Sequence, residues 1–182
     1  MEKPKLPKLY KSSYASPIGE ITLVSDEISL YALDFVGQKY YLLGLDEKSF
    51  EEKDFPIFDE VKSWLDIYFS GKEPDFTPKL QLTGSPFRQL ISRLMLKIPY
   101  GQTSTYGALA KEAAAILGKE RMSAQAVGGA VSHNPISIIV PCHRVLGSDG
   151  SLTGYAGGIE RKVYLIRNEE LGIRNCSNTI FY

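Results

Sequence analysis

The sequence predicts an α+β protein of two domains, with a small β-sheet and a helix in the first and mainly helices in the second. Strand-like alternation of apolar and polar residues is confined to the first half, whereas the second half carries a series of amphipathic helical segments. A proline-containing polar stretch, EPDFTPKLQLTG at residues 73–84, separates the two halves. We therefore expect an N-terminal domain with its linker over residues 1–83 and a second domain over residues 84–182.

The first domain opens with an antiparallel hairpin or meander. Residues 14–26, YASPIGEITLVSD, and residues 29–36, SLYALDFV, alternate as strands do and are separated by a polar segment. A helix is predicted over residues 60–69, because apolar residues recur there at helical spacing. Asp59 is the expected N-cap and Gly71 the expected stop.

The second domain begins with a helix and continues with a helix-turn-helix. Ser85 is a suitable N-cap with Pro86 at the first helical position. Thr103 or Ser104 is predicted to cap a second helix, TYGALAKEAAAIL, and a third helix, RMSAQAVGGAVSH, follows a short charged turn. Two helices joined by a tight turn that contains glycine are typical of a helix-turn-helix unit. Near the C-terminus, IERKVYLIRNEE predicts a last amphipathic helix that stops at Gly172.

The third helix of this series carries almost no side-chain bulk. Two adjacent glycines each cost about 1 kcal/mol of helix propensity relative to alanine, so a compensating gain is required. One interpretation is tight packing between helices, and another is a helix that must approach a foreign backbone, such as the wall of a DNA groove. The small residues are Ser123, Ala124, Ala126, Gly128, Gly129 and Ala130.

Charge is distributed unevenly, although the formal net charge of the 182 residues is 0. Residues 1–83 hold 10 Lys and Arg against 15 Asp and Glu, and residues 84–182 hold 11 against 6, so the halves carry −5 and +5. A basic second half is suited to a polyanion. No apolar run reaches the roughly 20 residues of a membrane span, and the N-terminus lacks a hydrophobic signal core. These features predict a cytoplasmic protein without a membrane partner.

The chain has two cysteines and two histidines, and one of each is adjacent in VPCHRVL at residues 140–146. This motif follows NPISII, which has the character of a buried strand. A thiol reacts as the thiolate, and a histidine within reach of Cys142 is the minimum of an activated nucleophile. The dipeptide alone favours a small buried thiol and a core histidine, and only the surrounding motifs favour a reactive site. Cys142, Cys176, His133 and His143 form no zinc pattern, so we expect no metal and no other cofactor.

Several motifs in order and spacing resemble the O6-alkylguanine-DNA alkyltransferases, also called methylated-DNA protein-cysteine methyltransferases. They are PCHRV preceded by NPISIIV, the later GSLTGYAGG and IERKVYLIRNEE, the upstream IPYGQTSTYGALA and AQAVGGAVSHNP, and the N-terminal SPIG. The detailed resemblance covers residues 85–172. It implies a ribonuclease H-like first domain and a winged-helix-like second domain. It also implies a monomeric, single-use repair protein that flips O6-alkylguanine, or also O4-alkylthymine, out of duplex DNA.

The same resemblance implies roles for residues of the reaction centre. Cys142 is the expected alkyl acceptor, and His143 is the base that removes its proton through a water molecule. Glu169 orients His143, which is the logic of a catalytic triad with water inserted. Tyr106 donates toward a ring nitrogen of the leaving guanine. Asn134 ties the turn between the recognition helix and the cysteine.

Further residues are implied to bind the base and the DNA. The Val145 carbonyl is expected to accept from the exocyclic amine of guanine, and the base pocket is completed by Val131, Tyr155, Ala156 and Gly157. The third helix is expected to enter the minor groove, where little sequence information is available. The residues implied in DNA binding are Arg121, Ser123, Ala124, Gln125, Ala126 and Gly128.

Two positions depart from the family pattern. Gln125 stands where the family usually carries an arginine that fills the space of the flipped base, and Ala156 stands where serine is frequent. Three other functions agree with part of the sequence: a Cys-His hydrolase, a lesion-binding alkyltransferase-like protein without repair activity, and a transcription factor. The first and the last leave part of the motif set unexplained, and the alkyltransferase-like proteins lack the acceptor cysteine. Cys176 is expected to be an incidental thiol, and the sequence leaves a disulfide with Cys142 open.

Overall fold

A computed structural model describes residues 7–178, without the side chains of residues 175–178. The described chain combines a four-stranded mixed sheet with five α-helices, which confirms the predicted α+β class. The strands are β1 (Tyr10–Ser16), β2 (Gly19–Ser25), β3 (Leu30–Phe35), β4 (Glu51–Glu52), β5 (Ser104–Thr105) and β6 (Val145–Leu146). The helices are α1 (Pro56–Phe69), α2 (Pro86–Met95), α3 (Tyr106–Ile116), α4 (Ala124–Ser132) and α5 (Ile159–Asn178).

The predicted meander is present in the first domain. Strands β1, β2 and β3 pair antiparallel, and the short β4 adds to β1 in parallel, which gives the order β3-β2-β1-β4. The apolar face of this sheet packs against α1, whose buried side chains include Trp64, Leu65 and Tyr68. Burial of these side chains supplies the main favourable term for the domain.

The open edge of β3 is covered by segments from outside the sheet. Leu30 exchanges backbone hydrogen bonds with the predicted linker, donating to the Lys79 carbonyl at 2.8 Å and accepting from Gln81 at 2.8 Å. Leu33 does the same with the second domain, donating to the Pro135 carbonyl at 2.9 Å and accepting from Ser137 at 2.9 Å. An uncovered sheet edge would expose unpaired backbone groups, and these hydrogen bonds cover it. They also join the linker and the second domain to the sheet.

Helix α1 begins earlier than predicted. Its first residue is Pro56 and its N-cap is Phe55, so Asp59 lies inside the first turn and the prediction of Asp59 as N-cap was wrong. The extension is explained by burial, because Ile57 and Phe58 both join the core. The end was predicted well: the helix stops at Phe69, and Gly71 adopts a left-handed φ of 79°.

The helices of the second domain match the predicted order, with shifted ends. Ser85 caps α2 as expected, by accepting from the Arg88 amide. The cap of α3 is Thr105 and not the residues one or two positions earlier, since Ser104–Thr105 remain extended to pair with β6. Helix α4 begins only after Ser123, which caps it by accepting from the Ala126 amide at 3.0 Å.

The last helix was predicted too short. Helix α5 continues through Gly172 to Asn178, so Gly172 is not a stop signal. A Cβ at residue 172 would collide with the backbone carbonyl of Gly71 and crowd the Tyr100 hydroxyl. Gly172 therefore lets α5 cross closely over the end of α1. No helix within residues 7–178 combines the length and the apolar character that a membrane crossing needs.

Residues 136–140 are buried as expected but do not form a strand. Only Ile136 pairs with β3, and Ile138 adopts a left-handed φ of 68°, so the segment coils between the sheet edge and the helices. Its apolar character reflects burial on all sides, which periodicity cannot distinguish from a strand. One continuous core runs through both domains and includes side chains from α1, from α2 and from this segment.

Candidate active site

The thiol of Cys142 lies on a short 3-10 turn, Cys142–Arg144, at the end of the coiled segment. Its residue is 5% exposed, and its Sγ accepts a hydrogen bond from Asn134 Nδ2 at 3.1 Å. The same amide nitrogen donates to the Val140 carbonyl at 2.9 Å, and Asn134 Oδ1 accepts from the Ile136 amide at 3.1 Å. Asn134 therefore connects the end of α4 to both sides of the segment that carries the thiol.

Burial raises the pKa of the Cys142 thiol to about 11, although the Asn134 hydrogen bond and the positive charge of Lys162 act in the opposite direction. At neutral pH the resting residue is thus a thiol and not a stored thiolate. Any reaction of this sulfur therefore requires that its proton be removed as the reaction proceeds.

His143 is completely buried and lies beside Glu169, the residue that the family resemblance implied as its partner. The distance from His143 Nε2 to Glu169 Oε1 is 2.6 Å. Burial lowers the pKa of His143, against the opposing effect of the Glu169 carboxylate, so the neutral imidazole is favoured. With Nε2 donating to the carboxylate, the lone pair lies on Nδ1, which has no hydrogen-bond partner within the described residues.

The Glu169 carboxylate receives hydrogen bonds from four different residues. Besides His143, Arg144 Nε donates to Oε2 at 3.0 Å, the Gly101 amide donates to Oε2 at 2.9 Å, and the Tyr68 hydroxyl donates to Oε1 at 2.8 Å. Burial raises the pKa of this carboxyl, but the His143 and Arg144 interactions outweigh it and bring the pKa to about 2. Glu169 is therefore a fixed anion and not a proton acceptor.

Sequence reasoning did not identify three of the groups in this network. Arg144 follows His143 directly, and its guanidinium also donates to the Ile98 carbonyl. Its place within the PCHRV motif was the sequence feature that could have identified it. Gly101 has a left-handed φ of 70°, and a Cβ there would collide with Ile173. Tyr68 lies in the helix predicted over residues 60–69, where it belongs to the apolar face, and its spacing carries no sign of a polar role.

Tyr106 and Lys162 lie close enough to the thiol to interact with it electrostatically. The half-buried Tyr106 hydroxyl donates to the Thr153 carbonyl at 2.9 Å. Lys162 Nζ donates to the same carbonyl at 3.0 Å and to the Val145 carbonyl at 2.6 Å. Lys162 was also not identified from the sequence, and it holds the carbonyl that was predicted to read guanine.

The loop predicted to close over the base lies beside the thiol and is tied to the first domain. Tyr155 and Gly157 are buried, and Ala156 is partly exposed. The Ala156 carbonyl accepts from the Lys39 amide at 3.1 Å. Arg161 continues this connection, because its guanidinium donates to the Ile18 carbonyl at 2.9 Å. The position of this loop therefore depends on contacts from the first domain.

Helix α4 has one bulky face and one nearly smooth face. Val127, Ala130 and Val131 form the buried face of α4 and pack into the core. Gly128 lies against the ring of Tyr106, where a Cβ would be 3.8 Å from the ring. The residues that face outward at its N-terminal end are Arg121, Ser123, Ala124, Gln125 and Ala126, all exposed. Gln125 is thus the longest side chain among the helix residues of this outward surface.

The described residues contain no group of three or more His, Cys, Asp and Glu side chains arranged to hold a metal ion. The site consists of a buried thiol, a neutral imidazole with a free nitrogen, a fixed carboxylate and a tyrosine hydroxyl. Such a set can move one proton and accept one group on sulfur. The side chain of Cys176 lies outside the described residues.

Two family models match the chain and together span most of it. The model described as 6-O-methylguanine DNA methyltransferase, DNA binding domain, matches residues 86–171. The model described as 6-O-methylguanine DNA methyltransferase, ribonuclease-like domain, matches residues 9–82.

Curated relatives and solved structures agree with these matches. The methylated-DNA–protein-cysteine methyltransferase of Methanosarcina barkeri is 44% identical over 167 residues, which cover 91% of this chain and 100% of the relative. That of Haemophilus influenzae is 38% identical over 164 residues, covering 90% and 87%. The crystal structure of Mycobacterium tuberculosis OGT in complex with DNA is similar with a TM-score of 0.78 and 37% identity, covering 90% of this chain and 94% of that one.

Proposed function

We infer the chemistry of this site from the premise that the chain belongs to the 6-O-methylguanine DNA methyltransferase family. The protein binds DNA and repairs it by transferring an alkyl group to one of its own cysteines. We propose that the acceptor is Cys142 and the donor is O6-alkylguanine in duplex DNA. The observation that carries this proposal is the buried thiol held by Asn134 beside the His143–Glu169 pair.

The proposed reaction is a single displacement. Cys142 Sγ attacks the alkyl carbon, the bond from that carbon to O6 breaks, and its electrons remain on the guanine. The thiol proton passes through a water molecule to Nδ1 of His143, and the purine returns to neutral guanine when it takes up a proton. The product thioether is stable, so each protein molecule acts once.

Each polar group has a distinct part in this scheme. His143 serves as the base because it is held neutral with Nδ1 available. Glu169 stabilises the imidazolium that forms but does not take the proton itself, in keeping with its low pKa. Tyr106 turns its hydroxyl from the Thr153 carbonyl to a ring nitrogen of the base and so stabilises the leaving anion.

We propose that the base pocket lies between Val145, Val131 and the loop formed by Tyr155, Ala156 and Gly157. The Val145 carbonyl has two lone pairs, so it can accept from the exocyclic amine of guanine while it accepts from Lys162. These backbone contacts favour guanine over other bases. The proposed domain boundary between residues 83 and 84 and the predicted cytoplasmic location stay predictions.

The smooth outward end of α4 is the proposed DNA surface. Small side chains at Ser123, Ala124, Ala126 and Gly128 permit close approach to the minor groove, and Arg121 is placed to meet phosphates. This surface reads little sequence, which suits a protein that searches for lesions.

The experiment that tests the reaction uses the unmodified protein. It is mixed with a duplex that contains O6-methylguanine, digested and analysed by mass spectrometry. We expect one added methyl group on the peptide with Cys142 and one guanine restored per protein. A repaired duplex with an unmodified Cys142 peptide would refute the proposal, and repeated turnover would favour a hydrolase instead.

Gln125 gives a second prediction, on the holding of the flipped base. Glutamine lacks the cation and the planar guanidinium that stacks on bases, so Gln125→Arg is expected to raise affinity for lesion DNA by about three- to tenfold. The repair rate at saturating protein should change little, because Gln125 lies on the outward surface and not beside the thiol. Electrophoretic mobility shifts measure the affinity.

The matched control for this variant is Gln102→Arg, which adds the same charge at another exposed glutamine of the second domain. An equal gain in both variants would mean that charge alone acts. If Gln125→Arg leaves both affinity and repair rate unchanged, the proposed place of Gln125 is wrong.

A further inference from the structure

We propose that Tyr68, a residue of the N-terminal domain, is a positioning residue for the alkyl transfer, because its hydroxyl holds the Glu169 oxygen that orients His143. The inference rests on the proposed function of Cys142 and His143. It assigns the N-terminal domain a part in the reaction beyond structural support.

The Tyr68 hydroxyl and the His143 imidazole share one acceptor oxygen of Glu169. Glu169 Oε1 accepts from the Tyr68 hydroxyl at 2.8 Å and from His143 Nε2 at 2.6 Å. The Tyr68 oxygen itself lies 3.3 Å from His143 Nε2. Tyr68 is completely buried, so water does not replace this hydroxyl in the folded protein.

The ring of Tyr68 is packed between aromatic neighbours, so its hydroxyl is held in one orientation. Trp64 stacks on it with ring centroids 5.3 Å apart, and Tyr100 meets it edge-on at 6.1 Å. A side chain whose rotamer is locked by packing can hold a catalytic group in a defined orientation.

The backbone of Tyr68 is held by the same helix that carries Glu169. Asn168 Nδ2 donates to the Tyr68 carbonyl at 2.8 Å. Two consecutive residues of α5 therefore bind Tyr68: Asn168 contacts its backbone carbonyl and Glu169 contacts its hydroxyl. The close crossing of the two helices at Gly172 makes this possible. A displacement of α1 would thus be transmitted directly to the carboxylate.

The hydroxyl also affects how strongly Glu169 attracts a proton on His143. A hydrogen bond to a carboxylate disperses its negative charge, so the imidazolium next to it is stabilised less. His143 is faced by the Glu169 carboxylate, by the cations of Arg144 and Lys162 and by the Tyr68 hydroxyl. Both cations lower the pKa of His143, and we infer that Tyr68 acts in the same direction. This arrangement keeps the base neutral and ready to accept a proton.

The test is the pH dependence of single-turnover methyl transfer in Tyr68→Phe. We expect one methyl group per protein as in the wild type, with a plateau rate reduced by about three- to tenfold. The acid limb should move to higher pH by about half a unit, because His143 becomes more basic when Glu169 loses a donor.

The matched control is Tyr14→Phe. Like Tyr68, Tyr14 donates its hydroxyl to a carboxylate, in this case Asp66 Oδ1 at 2.7 Å. The Tyr14–Asp66 pair takes no part in the site. We expect its rate and its acid limb to equal those of the wild type. A second arm repeats Tyr68→Phe in a Glu169→Gln background, where the effect on rate should fall below twofold because the hydroxyl acts through Glu169.

An unchanged acid limb in Tyr68→Phe would overturn the inference, even if its melting temperature falls. An equal shift in Tyr14→Phe, or a full additional loss in the Glu169→Gln background, would overturn it as well. If wild-type Cys142 receives no methyl group, the proposed function itself fails, which is a separate outcome of the same measurement.

Discussion

Replacing Cys142 by alanine is expected to abolish methyl transfer completely and to leave lesion binding intact. The variant removes the only atom that we assign as acceptor. The fold should tolerate the change, because Asn134 Nδ2 keeps the Ile136 and Val140 carbonyls as acceptors. Truncation of a mostly buried thiol leaves only a small cavity.

Two measurements check this expectation. Mass spectrometry of the variant after incubation with O6-methylguanine duplex should find no methylated peptide, and mobility shifts should give a dissociation constant within about twofold of the wild type. A methyl group on any other residue would show that Cys142 is not the acceptor. Loss of binding together with transfer would show that the thiol helps to hold the base.

The second large effect is expected for Glu169→Gln. Four residues donate to the carboxylate, whereas the glutamine amide replaces one of its acceptor oxygens by a donor NH2 group that faces these donors. The change also leaves the buried Arg144 guanidinium without its counter-charge. Breaking a buried pair by removing one partner costs about 3 to 5 kcal/mol of stability. Because His143 also loses its orienting anion, we expect transfer to slow by about two to four orders of magnitude.

Stability of the Glu169→Gln variant should also respond differently to acid. In the wild type the Glu169 pKa is about 2 in the folded protein, below its ordinary value of 4.5. A depressed carboxyl pKa contributes stability that is present above pH 4.5 and is lost as the pH falls toward 2. The variant lacks this group, so that part of the pH dependence should disappear. Urea unfolding at several pH values measures it.

Glu170→Gln is the matched control, since it makes the same change at the adjacent, exposed position of α5. Its transfer rate should match that of the wild type, and its free energy of unfolding should stay within about 0.5 kcal/mol of the wild-type value. A Glu169→Gln variant that is as active and as stable as this control would contradict the role of Glu169 as a fixed anion.

The family and the reaction could be predicted from local sequence because they depend on short motifs. PCHRV, the alanine- and glycine-rich helix and the RNEE segment carry the proposed acceptor, the proposed DNA surface and the carboxylate beside His143 within a few residues each. The pairing of His143 with Glu169, 26 positions apart, was predicted through the resemblance and is present at 2.6 Å. The sequence alone gives no such pairing, since spacing does not report which side chains meet.

Helix ends and the coiled segment were predicted less well, for a shared reason. Asp59 and Gly172 have the residue types of a cap and a stop, but burial of Ile57 and Phe58 and the crossing at Gly71 decide otherwise. Tertiary packing overrides local propensity when the apolar area that it buries outweighs a capping preference.

The family, the reaction class and the order of the chemical groups along the chain follow from the sequence. The groups that share one buried anion are brought together by tertiary packing: Tyr68 of α1, Gly101 of the loop after α2, and His143 and Arg144 of one 3-10 turn converge on Glu169. The reason is that a buried carboxylate must be surrounded by donors, and the fold can draw them from any part of the chain that packs beside it. The spacing of Tyr68 in the sequence is that of an apolar helix face, and its hydrogen bond to Glu169 is formed only because α1 packs against α5.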